Sequence, residues 1–466
     1  MFTVARLGDS DRVVALKAEG GKYREIDWAT GKPQQQRPLI FKDTAGIYHY
    51  GKLKGGELKD FSQPTSLTIP LDNIQIERFE DGSTKYYVDL VIDNESYTAD
   101  VIFDAHHGVW TEFRTPNAIG FTEAGQWEPM SLERAKALSK LRTPTLTTTF
   151  TLLPIPKVPA DIRPLPKQIY HIWLGGPMPE ELINNVIANS KKWAGYQSIV
   201  YMDLNEPGLF EHIQSKFVGS HVELKKLADT AFFNQFKETN TYQHYTAFRH
   251  GDNHNYAAAA DALRYPLINH HGGIYMDIDD KIEGAISSSS VLSAAPHDVL
   301  LKNPVAANAF VDEGFNNNIF ASHSNNPLLN KISEEGYRRF IQNRDYLNQP
   351  RPFMRQNSPA EMHAYMKKIS EIGGPKLLND VLKQENPVYQ QLLELNKLRA
   401  SEITNNLSEI DLFARGKERS TYQLTLSALP DDYTNAIRTS VSYYQPFSQL
   451  AWYVEIGQAN SWLHTR

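Results

Sequence analysis

Residues Tyr256 to Asp280 read YAAAADALRYPLINHHGGIYMDIDD, and this stretch carries more structural instruction than any other in the chain. Its first half has helical texture: four consecutive alanines, Ala257 to Ala260, allow close approach of a neighbouring element, and Asp261, Arg264 and Tyr265 fall at i, i+3 and i+4 on one face. The spacing predicts a helix from Tyr256 to about Leu263, bent or ended by Pro266. Gly272-Gly273 then supply a turn at positive φ. IYMDID alternates beyond it, with Tyr275, Asp277 and Asp279 on one face and Ile274, Met276 and Ile278 on the other. Same-face residues of a strand are ~6.6 Å apart, so Asp277 and Asp279 can address one hydrated divalent cation. Asp280 faces the other way and reads as a turn former.

Outward from this core, strand and helix patterns alternate: QIYHIWLGG, PEELINNVIANSKKW, SIVYMDL, and a long helical stretch from about Val222 to Lys237. Such alternation builds an α/β fold around a mostly parallel sheet, whose functional sites lie beyond the carboxyl ends of the strands. Helical periodicity dominates from about 326 to 400, suggesting helices added to the sheet domain.

The front of the chain has a different texture. FTVARL, RVVALKA, KYREIDW, RPLIFKD and GIYHYGK are short strand patterns, and Asp81-Gly82 and Asn94-Glu95 punctuate longer hairpin strands. Residues 1–142 therefore read as a β-rich accessory domain, with paired His106-His107 in a surface turn. A helix starts at Ser131, its N-cap. Residues 143–168 hold a threonine run and Pro154, Pro156, Pro159, Pro164 and Pro166, which makes them the expected linker to a 169–466 domain.

Composition narrows the chemistry. The 466 residues include 7 Trp, 23 Tyr and 21 Phe, enough apolar material for several cores. Lys and Arg number 48 against 54 Asp and Glu, so no global positive field draws the chain to nucleic acid. There is no cysteine, which excludes disulfides, thiolate catalysis and Cys-ligated zinc and leaves oxygen or imidazole for any metal. No segment has the apolar length of a membrane-spanning helix, and MFTVARLGDSDRVVALK interrupts its apolar runs too early for a secretory leader. The reading is of a soluble chain that a specialised system can still deliver.

An isolated Asp-x-Asp is common at solvated strand ends, but IYHIWLGG (Ile169 to Gly176), Asp261 with ALRY, and GGIYMDIDD in this order resemble the glycosyltransferase domains of the large clostridial glucosylating toxins and related bacterial toxins and effectors. The resemblance runs from about Ile169 to Asn325 and includes the last residues. It implies a GT-A type nucleotide-sugar-binding domain, a UDP-sugar donor (UDP-N-acetylglucosamine or UDP-glucose, with the former favoured) and Mn²⁺ or Mg²⁺. By position in these motifs, Trp173 stacks near the uracil, Asp261 and Arg264 hold the sugar and phosphate side of the donor, and Tyr275 flanks the sugar phosphate. Asp277 contacts ribose, sugar or metal-bound water, and Asp279 ligates the metal. FNNNIFASHSNNPLL selects Asn317 beside donor and metal. Phe315 stands where arginine-modifying relatives have Glu, which weighs against an arginine acceptor. QANSWLHTR resembles the family's C-terminal lid and selects Asn460 and Ser461 near the metal and Trp462 over the donor.

The resemblance further implies retention of anomeric configuration, a host-protein acceptor with Rho-family small GTPases foremost, and bacterial delivery into the host cytoplasm. Two alternatives stay open at this level. One is a non-catalytic host-interaction protein on a degenerate transferase fold. The other is a metal-dependent phosphohydrolase with Asp277 as nucleophile, which the residues flanking the two acids support little.

Overall fold

The computed structural model describes residues 60–78, 84–93, 95–113, 117–193, 195–251, 253–284, 286–305, 313–352, 358–403 and 429–457, together with five short strands nearer the start. Those strands, Thr3–Arg6, Val13–Glu19, Lys22–Ile26, Ile40–Lys42 and Tyr48–Tyr50, form an antiparallel meander in sequence order. All five fall on the segments whose alternation reads as strand.

A second antiparallel sheet follows, running from Gln75–Arg78 to Trp127–Met130. Its last strand returns beside Thr84–Ile92, pairing Trp127 with Leu90, so the sheet curls back on itself. The second hairpin closes with Ile92 opposite Glu95 and Asp93 at φ +51°. Asn94, Asp81 and Gly82 lie outside the described residues. Ser131 accepts from the Arg134 N–H and starts the helix Leu132–Lys140. His107 Nδ1 meets Asp104 Oδ2 at 2.6 Å across a turn. Within 143–168, Thr147–Leu152 is a strand paired antiparallel with Thr65–Pro70, since threonine branching at Cβ suits extended backbone.

The sheet that positions the site has six strands in the order Val222–Lys226, Gln197–Leu204, Gln168–Gly175, Gly273–Met276, Ile319–Ser322, Val299–Leu300. The first four are parallel, Ile319–Ser322 runs against them, and Val299–Leu300 pairs antiparallel with Ile319–Ser322 and so runs with the first four. Gln168–Gly175 sits in the middle and is apolar on both faces, as a covered parallel strand must be. His171 is the exception within it. Its Nδ1 meets the Met276 carbonyl at 2.7 Å, and burial depresses its pKa to about 4, so the ring is neutral and ties the central strand to its neighbour.

Two sequence expectations change here. Val222–Lys237 is not one helix: it is a strand to Lys226, a 3-10 turn and a short helix Ala231–Lys237. The helix from Tyr256 does not end near Leu263 but runs to His271 through Pro266. Leu263, Leu267 and Ile268 are fully buried on either side of the proline, and this burial offsets the backbone bond that proline cannot make. Helices Pro327–Gln342, Pro359–Ile372, Pro375–Glu385 and Pro387–Ile403 occupy the region where helical periodicity dominates.

Candidate active site

The site grows from a four-residue strand. Gly272 (φ +68°) and Gly273 (φ +107°) turn the chain out of the long helix in conformations that a side chain would strain. A Cβ at Gly273 would also stand 2.8 Å from the Gln168 carbonyl. The strand ends at Met276, so the expected alternation does not continue through both acids, and Asp277 to Asp280 form a turn. The Asp277 N–H donates to Asn318 O at 2.8 Å and the Asp280 N–H to Asp277 O at 3.3 Å. The reason is competition: once the chain clears the sheet, the carboxylates lie at its polar end and a local turn satisfies the backbone.

Three segments meet at Arg264: its own helix, the strand and turn of Tyr275 and Asp277, and the loop of Asn317. Its guanidinium lies 2.8 Å from Asp261 Oδ1 and 3.3 Å from Asp277 Oδ1, and it donates to the Asn317 carbonyl at 2.6 Å. Asn317 Nδ2 donates to Asp261 Oδ1 at 2.9 Å. The Tyr275 hydroxyl donates to Asp277 Oδ1 at 2.6 Å, and the Arg264 guanidinium sits 4.6 Å from the Tyr275 ring centre. Side-chain exposure grades outward, from 2% at Asp261 and 4% at Arg264 to 31% at Asp277. Asp277 is therefore the mouth of this network.

Electrostatics follow from that gradient. Burial pushes Asp261 up to about 7, with Arg264 opposing and Asp277 adding to the rise. Burial raises Asp277 also, Arg264 counteracts, and Asp279 pushes it further up. Burial disfavours the charge on Arg264, but Asp261 and Asp277 outweigh it and hold the guanidinium above its ordinary range. The hydroxyl of Tyr275 stays protonated, held well above the usual phenol range chiefly by burial.

Asp280 corrects the sequence reading most. It is 1% exposed, and its carboxylate accepts from Asn318 Nδ2 at 2.7 Å and from the Gly457 N–H at 2.9 Å. Its backbone carbonyl accepts from Asn185 and Asn189, both at 2.8 Å. Burial and then Asp277 hold this acid well above its normal range. It is thus an inward-facing member of the acid turn and ties that turn to the C-terminal segment. A Cβ at Gly457 would fall 2.4 Å from the Asp279 carboxylate, so Asp279 is packed against that same segment.

Asp277, Asp279 and Asp280 lie within one turn, with Asp261 behind them and Arg264 the cation paired with Asp261 and Asp277. A hard divalent ion fits this oxygen-only surplus of negative charge. Among the described residues no group of three or more His, Cys, Asp or Glu side chains closes into a cage, so an ion here needs further oxygens, such as those of a diphosphate.

Trp173 stands at the carboxyl end of the central strand, half-buried against the apolar layer of Met178, Ile183 and Ile278, and its Nε1 donates to Gly176 O at 2.9 Å. Beside it lies a group that motif reading missed. Gly175 (φ +94°) has the Tyr256 ring where its Cβ would be. The Tyr256 hydroxyl accepts from Asn205 Nδ2 at 2.8 Å, and Arg249 is bound to Asp203 at 2.9 Å and to Asn205 Oδ1 at 2.7 Å. Asp203 and Asn205, at the end of SIVYMDLN, were readable only as a strand terminus. Phe315 is fully buried, with its backbone held by Asn379. Asn460, Ser461 and Trp462 lie outside the described residues.

Residues 180–298, which contain Asp261, Arg264, Tyr275 and the acid turn, match the glycosyltransferase sugar-binding region containing the DXD motif. The chain is similar to this DXD family over that region. It is 24% identical over 309 residues to a toxin of Photorhabdus asymbiotica, which covers 64% of this chain and 9% of that protein. It is 29% identical over 185 residues to Toxin Afp18 of Yersinia ruckeri, covering 38% of this chain and 8% of that one. The chain thus spans under a tenth of the length of these relatives. Among solved structures, the PaToxG glycosyltransferase matches at TM-score 0.43 and 21% identity, over 63% of this chain and 90% of that one. The UDP-bound glycosyltransferase domain of the YGT toxin matches at 0.35 and 14%, over 49% and 79%. The match to this family and the toxin relatives agree with the resemblance that the three ordered motifs carry. Among the described residues no helix is long and apolar enough to cross a membrane.

Proposed function

We infer that this chain is a metal-dependent glycosyltransferase of the toxin and effector type, moving N-acetylglucosamine or glucose from a UDP-sugar to a host protein. The observation that carries this reading is the convergence of Asp261, Arg264, Tyr275, Asp277 and Asn317 into one network at the carboxyl end of Gly273–Met276. Mn²⁺ or Mg²⁺ on Asp277 and Asp279 would neutralise the diphosphate as the sugar bond breaks. Arg264 brings a fixed cation whose position three oxygen partners define, so it meets developing negative charge without reorganising. Asp261 orients Arg264 and accepts from sugar hydroxyls. Tyr275 fixes the rotamer of Asp277 from below. Trp173 offers an apolar face for the base, and Asn460, Ser461 and Trp462 would complete the donor's cover.

In the same reading the anomeric configuration is retained, and the acceptor is a host protein, with Rho-family small GTPases foremost by family likeness. The helices between Pro327 and Ile403 supply its docking surface. The β-rich residues 1–142 serve delivery, autoinhibition or targeting, and the chain acts after bacterial delivery into the host cytoplasm. The test is UDP release from UDP-N-acetylglucosamine and UDP-glucose, supplied separately with Mn²⁺. Slow hydrolysis of one donor, lowered ~100-fold by Asp279→Asn, is expected. Silence with every sugar nucleotide would overturn the reading.

A further inference from the structure

The helix Pro375–Glu385 lies outside the motifs, yet it grips the loop that carries Asn317. Asn379 on this helix is buried, and its amide reads the Phe315 backbone from both sides. Oδ1 accepts from the Phe315 N–H at 2.9 Å, and Nδ2 donates to the Phe315 carbonyl at 2.7 Å. Nδ2 also donates to the Pro375 carbonyl at 2.7 Å, which locks the amide to its own helix. Gly314 leaves room for it: a Cβ there would stand 2.6 Å from Asn379 Oδ1. Two residues beyond Phe315, Asn317 gives its carbonyl to Arg264 and its amide to Asp261.

The same helix touches the other side of that network. Gly373-Gly374, at its start, stand against Asp261, where a Cβ at Gly374 would be 3.5 Å from Asp261 Oδ2. Among the described residues Asp261 Oδ2 has no hydrogen-bond partner, so the carboxylate is held through Oδ1 alone, by Arg264 and Asn317. Nothing on the Oδ2 side compensates if the Asn317 loop shifts.

We propose that Asn379 is a positioning residue for donor cleavage, setting the Asn317 loop so that Arg264 and Asp261 meet the sugar in register. This rests on the donor reading given above. Arg264 meets charge that develops only as the sugar bond breaks, so the effect belongs on the cleavage step and not on the ground-state binding of UDP and metal. The test measures donor hydrolysis, the affinity for UDP with Mn²⁺, and Tm in the full chain. For Asn379→Ala, kcat is expected to fall ~10-fold or more, as for the loss of buried bonds at a catalytic network. UDP affinity should stay within about two-fold. Gly314→Ala, which displaces the Asn379 amide, should reproduce the kcat loss, and the double variant should be little worse than either single. Leu382→Ala, buried on the same helix, controls for lost stability and should lower Tm while sparing kcat. The proposal fails if Asn379→Ala keeps kcat within about two-fold of the parent. It fails equally if Leu382→Ala lowers kcat as much, or if UDP affinity falls in parallel. Absence of hydrolysis by the parent chain would instead overturn the donor reading, and this proposal with it.

Discussion

The curled β-sheet near the start and the network around Arg264 treat charge in opposite ways. In the sheet, Lys85 and Asp100 meet at 3.0 Å with both side chains about one-third exposed, and Gln75 and Thr98 donate to Asp89 at the surface. Below them Val88, Leu90, Val101 and Trp110 close an apolar core. In the network, Asp261 and Arg264 are almost fully enclosed, and Asp261 Oδ2 and Arg264 Nε make no hydrogen bond within the described residues. An isolated fold gains little from burying charge incompletely paired. The sheet keeps its charges at the surface over an apolar core, whereas the network buries them where the DXD match lies, and such departures from local rules concentrate at functional sites.

The contrast can be broken most severely at Arg264. Arg264→Lys keeps a positive charge but cannot reach Asp261, Asp277 and the Asn317 carbonyl together. Donor hydrolysis should fall ~100-fold or more, and thermal unfolding should show a destabilisation of ~3 kcal/mol, as for a broken buried pair. Retained turnover would mean that the network is structural only.

Leu90→Ala probes the other region. Leu90 is fully buried, so truncation should cost ~2–5 kcal/mol in denaturant unfolding. Hydrolysis per folded molecule should remain unchanged, and a matching loss of kcat would erase the functional division between the regions.

Titration separates them by sign. Asp261 has a folded pKa raised by burial to about 7, against an ordinary value of 3.8, so its contribution to stability is full below about pH 4 and lost as pH rises through about 7. Asp72, near the sheet, is lowered chiefly by its hydrogen bond from the Thr145 hydroxyl, so its contribution is present above the ordinary carboxylate range and lost in acid. Metal-free protein should therefore lose Tm between about pH 4 and 7, and Asp261→Asn should flatten that slope. An unchanged slope would contradict the assignment. The smallest effect is expected at the surface: Lys85→Met should alter stability by less than ~0.5 kcal/mol by denaturant melt.

Much of this was legible because local period and function coincide. Asp261 and Arg264 meet because helical spacing puts i and i+3 on one face, and Gly272-Gly273 turn the chain as glycine pairs allow. The strands near the start follow their alternation. Asp277 and Asp279 were read as same-face residues at the end of one strand, and alternation alone could not show that the strand stops at Met276 and that both acids lie in the turn beyond it. Asp280 escaped because its partners, Asn318 and Gly457, are 38 and 177 residues away. Asn379 was invisible for the same reason, its partner Phe315 being 64 residues distant. Pro266 misled through a local rule that burial of its neighbours overrides.

The acid turn is best interrogated by calorimetric titration of UDP into the parent chain and Asp279→Asn, each with and without Mn²⁺. The metal should tighten UDP binding at least ~10-fold in the parent and leave the variant unaffected. UDP affinity indifferent to both the ion and the substitution would contradict the account.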